Sequence, residues 1–316
     1  MGKQLQFELW QECNNHCKFC YNGDNNRFTS KENKLGAIKE AIAKISDLSN
    51  YPEYDTLAYL GGEFFQGQMA DKEVHDAFME LMRTTAWLKD NGWVKNVWIY
   101  CTLTIGDQKE LYETLDLFKD KKNLWILTSW DTKGRFHNPK MFENWDYHMK
   151  NIHKLYPDIL FNITTIITGD LCDKYVNGDF CFEDMRNEYY AQFFFKQPGR
   201  GSYTKNELQS IIPNFFPTRM QFLKFLQRFK EVEDNRMGSK LFNIVFRADT
   251  LYRNFNDKEG LTKNIRHKDG SVEVEAPDSD EVEVNPNCGH MRSYQCYIDS
   301  DKCCICDKIA MGLTND

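Results

Sequence analysis

The stretch Leu5-Gln6-Phe7-Glu8-Leu9-Trp10-Gln11-Glu12-Cys13-Asn14-Asn15-His16-Cys17-Lys18-Phe19-Cys20 decides how this chain is read. An apolar run with strand character leads directly into a loop carrying three cysteines within eight residues. Three thiolates in one short loop can hold three corners of an iron-sulfur cube and leave the fourth iron without a protein ligand, open to chemistry. Zinc is the competing occupant. It takes four Cys or His ligands as a rule, and His16 could serve as the fourth. His16 adjoins Cys17 directly, however, which makes tetrahedral ligation by both awkward.

Downstream, strand-like runs alternate with helical periodicity through about two thirds of the chain, the signature of parallel βα units. The spacing predicts strands at 4–10, 56–60, 96–103, 123–130, 159–168 and 192–196. It predicts helices at about 34–48, 72–90, 107–119, 139–155 and 218–232. The segment 169–178 reads as loop. Six βα units starting at the N-terminus predict an α/β fold, a partial (β/α)6 TIM barrel, over residues 1–235. A small cysteine-rich extension follows over 236–316, in which 271–284 alternates Val with Glu or Asp as an exposed hairpin would.

In parallel barrels the reactive groups gather at the C-terminal ends of the strands, where the loops converge on one mouth. The cysteine loop follows the first strand and Gly61-Gly62-Glu63 follows the second, so both belong to that mouth. The glycines let backbone approach a ligand closely, and Glu63 can accept from an ammonium group. At the end of the fourth strand, Ser129 and Asp131 are two residues apart and share a face. A cap and turn between strand and helix is the alternative role for this pair. In the fifth strand Asn162 and Thr164 share a polar face, which a ligand or an internal hydrogen bond can satisfy.

The CxxxCxxC spacing, with Phe19 just before the last cysteine, resembles the cluster loop of the radical S-adenosylmethionine (SAM) enzymes. Gly61-Gly62-Glu63 resembles their GGE motif, and the segment Thr128 to Asp131 resembles the Ser-x-Asp segment of their peptide- and sulfatase-maturase members. The resemblance implies a [4Fe-4S] cluster on Cys13, Cys17 and Cys20, with SAM chelating the fourth iron. It implies SAM contacts from Phe19, Gly61, Gly62, Glu63, Ser129, Asn162 and Thr164, and a substrate contact from Asp131. The implied reaction is reductive cleavage of SAM to a 5′-deoxyadenosyl radical, which abstracts hydrogen from a substrate. An electron donor of the flavodoxin or ferredoxin kind would feed it.

A second cysteine group lies near the C-terminus, five thiols between Cys288 and Cys306. Such density in a reduced protein points to metal. The segment 288–306 resembles the cysteine-bearing hairpin of SPASM and Twitch extensions, implying a second iron-sulfur cluster on Cys288, Cys296, Cys303 and Cys306; zinc is the alternative. Cys303 and Cys304 would point to opposite faces of a strand, so both are not expected to ligate. The extension resemblance favours a peptide or protein side chain as substrate, with a nucleotide or small metabolite as competitor. The first strand begins at about residue 4, so a peptide would be captured by the barrel mouth or brought by a separate carrier. A non-catalytic zinc protein is the contrasting class.

Composition agrees with a folded, soluble protein. The chain has 316 residues, 41% hydrophobic and 14% aromatic, enough for a core. Eleven cysteines, an odd number, fit a reducing compartment and ligation rather than pairing. A net charge of −7 argues against a surface built for nucleic-acid phosphates. No apolar run of roughly 18 residues suggests a membrane span, and cytoplasmic residence is expected. Cys101 is expected in the core, and Cys172 and Cys181 in loops without a ligand role.

Overall fold

A computed structural model describes residues 3–20, 28–49, 54–67, 69–196, 205–229, 231–232, 263–266 and 272–275. The second cysteine group, Cys288, Cys296, Cys303 and Cys306, lies outside the described residues, as does most of the extension 236–316.

Six strands form one sheet in chain order: β1 (Lys3–Glu8), β2 (Tyr54–Leu60), β3 (Asn96–Tyr100), β4 (Leu124–Trp130), β5 (Leu160–Ile166) and β6 (Ala191–Lys196). The pairs β1/β2, β2/β3 and β3/β4 are parallel. Helices α1 (Lys31–Ser46), α2 (Lys72–Asp90), α3 (Lys109–Asp116) and α4 (Pro139–Leu155) make the crossovers between the first five strands. An open sheet in chain order with helical crossovers is consistent with a partial α/β barrel, as expected.

The register explains the core. Phe7 pairs with Tyr59, and Tyr59 with Ile99, along one face of the sheet. These residues are all but fully buried, and the Tyr59 hydroxyl meets Thr85 of α2 at 2.5 Å, so this face turns toward the helices. The other face carries Gln6, Ala58, Trp98 and Trp125 in register. On the helix side, Trp145 of α4 is fully buried and its Nε1–H donates to Thr128 of β4 at 3.1 Å.

Local signals set the helix ends. Ser30 caps α1 by accepting from Asn33 N–H, and Asp71 caps α2 by accepting from Glu73 and Val74. Asn138 caps α4, with Pro139 at its first turn. Helices α2 and α4 run between the residues expected from periodicity.

The chain divides into two compact units. The first takes in the described residues up to Ser129 together with those of Phe136–Ile163 and Arg266–Glu273. The second holds Trp130–Arg135 and the described residues of Thr164–Ile265 and Val274–Asp316, including α5 (Gly169–Asn177), α6 (Phe182–Tyr189), α7 (Lys205–Ile211) and α8 (Arg219–Phe229). Its core is aromatic, with Phe182 ringed by Tyr175, Phe195 and Phe229 at centroid distances of 5.2, 4.9 and 6.1 Å.

Three corrections to the expected elements fall in the second unit. The segment read as loop after β5 is the helix α5, capped by Thr168 and closed by Gly178 in the left-handed conformation at φ 86°. Cys172 is therefore a fully buried helix residue, and burial pushes its thiol pKa up. Helices α6 and α7 were not expected. Beyond these, the strand β8 (Val272–Glu275) pairs with the upstream β7 (Lys263–Arg266), whereas the hairpin was expected within 271–284. No helix among the described residues is long and apolar enough to cross a membrane.

Candidate iron-sulfur site

Cys13, Cys17 and Cys20 follow β1 on one loop, and none of the three is in a disulfide. Cys17 is buried, and Cys20 N–H closes the turn by donating to the Cys17 carbonyl at 3.0 Å. Asn15 N–H donates to Cys13 Sγ at 3.5 Å. Phe19, 4% exposed, packs into the interior behind the loop. His16 is exposed in the left-handed region at φ 48°, while the adjoining Cys17 is buried. Among the described residues no three Cys, His, Asp or Glu side chains converge into a ready metal cage.

The turn after β2 is clamped onto the start of this loop. Gly62 N–H donates to the Trp10 carbonyl at 2.9 Å and Glu63 N–H to the Glu12 carbonyl at 2.7 Å. In return, the Trp10 indole N–H donates to the Glu63 carbonyl at 3.1 Å. The contact is too close for side chains. A Cβ on Gly61 would stand 2.2 Å from the Trp10 oxygen, and one on Gly62 only 1.9 Å from the Glu12 oxygen. Glycine is required at both positions for that reason, and Gly61 also has φ 158°. On the far side, the Glu12 carboxylate accepts from Thr29 N–H at 2.8 Å and forms an ion pair with the buried Lys34. The Lys34 ammonium also lies 5.5 Å from the centre of the Trp10 ring.

Glu63 is fully buried, and its carboxylate is occupied by backbone. Oε1 accepts from Phe64 N–H at 3.0 Å and Phe65 N–H at 3.1 Å, while Oε2 accepts from Thr102 N–H. Burial pushes its pKa up, and the Thr102 hydrogen bond opposes the shift. The side chain thus braces its own turn against the end of β3.

A polar network that spacing did not reveal fixes the loop from below. Asn15, 2% exposed, directs its side-chain oxygen at two donors, Gln66 Nε2 at 3.0 Å and the Thr104 hydroxyl at 2.7 Å. Gln66, also buried, holds Nε2 2.8 Å from the hydroxyl oxygens of both Thr102 and Thr104, so its two N–H groups are shared among three acceptors. It accepts from Asn14 N–H at 3.0 Å through its side chain and from Asn14 Nδ2 at 2.8 Å through its carbonyl. His137 Nε2–H donates to the Asn15 carbonyl, and Asn144 Nδ2 donates to the Thr104 carbonyl at 3.0 Å.

The remaining expected residues lie apart from the loop in sequence. Ser129 is half-buried near the end of β4. Asn162 of β5 is buried, with an Oδ1 that has no hydrogen-bond partner, and Thr164 is half-buried. Asp131 is 2% exposed and closes a turn, its Oδ1 accepting from Lys133 N–H at 2.9 Å and Arg135 N–H at 3.3 Å, with the Arg135 guanidinium 3.4 Å from Oδ2. Burial lifts its carboxyl to about 6 against the pull of Arg135. These contacts give Asp131 the turn role that the sequence offered as its alternative.

Three thiols on one loop, with Cys17 buried, and the buried polar atoms Asn15 Nδ2 and Asn162 Oδ1 without hydrogen-bond partners are features that fit a bound inorganic cluster. Residues 2–127 match the family model described as a 4Fe-4S single cluster domain. The match covers the three cysteines, the glycine turn and Thr102 and Thr104, and supports a 4Fe-4S cluster domain in this part of the chain. The comparison with curated proteins gives no match.

Proposed function

We propose that the chain is a radical SAM enzyme whose [4Fe-4S] cluster is held by Cys13, Cys17 and Cys20, and that it modifies or oxidises a peptide or protein side chain. The observation that carries the reading is the clamp of Gly61-Gly62-Glu63 onto Trp10 and Glu12. It joins the turn that would meet the methionine moiety of SAM to the loop that would hold the metal. When bound, cluster and SAM supply a one-electron cleavage. With an electron from a flavodoxin- or ferredoxin-type donor, that chemistry would be reductive cleavage of the C5′–S bond of SAM, releasing methionine and supplying hydrogen-atom abstraction from a substrate.

The protein's own part is holding and shielding. Gly61 and Gly62 let the turn lie directly against the backbone of Trp10 and Glu12, where no larger residue would fit. Glu63 keeps that backbone in position through three amide hydrogen bonds. Phe19 and the Trp10–Phe64 edge contact, 4.9 Å between centroids, keep water from the inner side of the loop. Asn162 Oδ1 is a buried acceptor that a ligand hydroxyl or N–H would satisfy.

Anaerobic purification tests the proposal. The expected protein is brown, carries iron and sulfide, and after reduction converts SAM to methionine and 5′-deoxyadenosine; the Cys13→Ala, Cys17→Ala and Cys20→Ala variants lose both properties. Deuterium transfer from a labelled peptide into 5′-deoxyadenosine supports the substrate class. Colourless protein with stoichiometric zinc, or a reduced cluster that leaves SAM intact, overturns the proposal.

A further inference from the structure

We infer that Asn15 is a sulfur-directed donor, its side-chain Nδ2 supplying a hydrogen bond to a sulfur of the cluster held by Cys13, Cys17 and Cys20. The inference rests on the cluster assignment above. It starts from one unpaired group. Asn15 Nδ2 is buried and has no hydrogen-bond partner, in a residue 2% exposed. Buried amide donors without acceptors are rare, because the water they give up is not replaced.

The amide cannot be relieved by turning it over. Gln66 Nε2 donates and cannot accept, so the Asn15 atom 3.0 Å from it must be the oxygen. The orientation of Gln66 is fixed in turn, because its own oxygen accepts from Asn14 N–H. The Thr104 hydroxyl completes the pair of donors on Asn15 Oδ1. The carbonyl of Asn15 is held by His137. With oxygen and carbonyl both held, Nδ2 is left as the one group of this side chain still needing a partner.

Position says what that partner is. Asn15 stands midway between Cys13 and Cys17, and its backbone N–H already reaches Cys13 Sγ. The acceptors a cluster brings to this loop are sulfur atoms, thiolate and sulfide. N–H bonds to such sulfurs spread their negative charge, stabilise the reduced form and raise the reduction potential. Gln66, Thr102, Thr104 and His137 are then positioning residues that act through Asn15, drawn from the ends of β2, β3 and β4.

Redox titration of the reconstituted protein, followed by electron paramagnetic resonance, tests the inference with two variants. Asn15→Asp keeps an acceptor for Gln66 and Thr104 but removes the donor; Asn15→Ala removes both without adding charge. Both are expected to titrate at a more negative midpoint potential than wild type. In protein labelled with 15N only at the asparagine side-chain amide and measured in pulsed mode, both are expected to lose a weak nitrogen coupling and one class of exchangeable protons.

A potential shifted in Asn15→Asp alone, with the 15N coupling retained in Asn15→Ala, assigns the effect to charge and overturns the inference. Unchanged potentials and couplings with a lower unfolding midpoint of the metal-free protein assign Asn15 a structural role and also overturn it. If Asn15→Ala fails to hold iron, the coupling in Asn15→Asp decides alone. Failure of the cluster assignment itself would be visible separately, as wild-type protein without iron and sulfide.

Discussion

Gly62→Ala puts the clamp between glycine turn and cysteine loop to a quantitative test. The added Cβ would lie 1.9 Å from the Glu12 oxygen, 2.4 Å from the Glu12 carbonyl carbon and 2.6 Å from the Gln11 carbonyl carbon. All three are backbone atoms, so no side chain can swing away. Ordinary contact begins near 3.4 Å, and the two segments must part by about 1.5 Å. A gap of that size breaks the hydrogen bonds Gly62 N–H to Trp10 and Glu63 N–H to Glu12. Each such bond contributes about 1 kcal/mol, and orphaning buried partners adds more, so the expected loss is about 3 kcal/mol. Gly36→Ala is the matched control: Gly36 is exposed within α1, nothing lies within 4 Å of the added methyl, and the change should stabilise by about 0.5–1 kcal/mol. Urea unfolding of the metal-free proteins reads both effects, and iron per chain after reconstitution reads the consequence for the loop. Equal unfolding free energies for Gly62→Ala and wild type, with full iron retention, would refute the clamp.

Glu63→Ala leaves three buried backbone N–H groups without their acceptor at about 1–3 kcal/mol each, partly offset by removing a buried carboxylate. A net loss of about 3–5 kcal/mol in urea unfolding is expected, and a loss below about 1 kcal/mol would contradict the bracing role. Asp131 gives a pH signature. Its folded carboxyl titrates at about 6 against 3.8 for the unconstrained group, so the folded state holds its proton longer than the unfolded state does. Wild-type stability should therefore fall by about 3 kcal/mol from this group as pH rises from 4 to above 6. Asn at this position still accepts from Lys133 and Arg135, so Asp131→Asn should remove that slope; parallel pH profiles for the two proteins would count against it.

The sheet and the first four crossovers were legible because each signal is local. Alternation marks the strands, and Asp71 and Asn138-Pro139 mark the starts of α2 and α4. The helix α5 was hidden by the glycines at its ends. Gly178 is its left-handed cap, and Gly169 is glycine because a Cβ there would stand 2.3 Å from Asn214 Oδ1, a tertiary contact no local pattern encodes. In the site, the cysteines and glycines were legible through their spacing. The direction of the Glu63 carboxylate was not, because it depends on an amide 39 residues away. Asn15, Gln66, Thr104 and His137 were missed for the same reason. Each is an ordinary polar residue in sequence, and they become a network once the ends of three strands meet.

The contacts that hold Asn15 span 51 residues to Gln66, 89 to Thr104 and 122 to His137. The first loop of the chain is therefore among the last parts to be locked during folding, since closing such long loops must await the strands that carry their far ends. In pulse-labelled refolding of the metal-free protein, the amides of residues 13–20 should gain protection after those of β2 and β3. During synthesis the cysteines precede His137, so the last of these contacts on the loop waits until residue 137 has followed. Metal arriving earlier would meet three thiols on a tether, and the order of loading and folding becomes a property of the chain's topology.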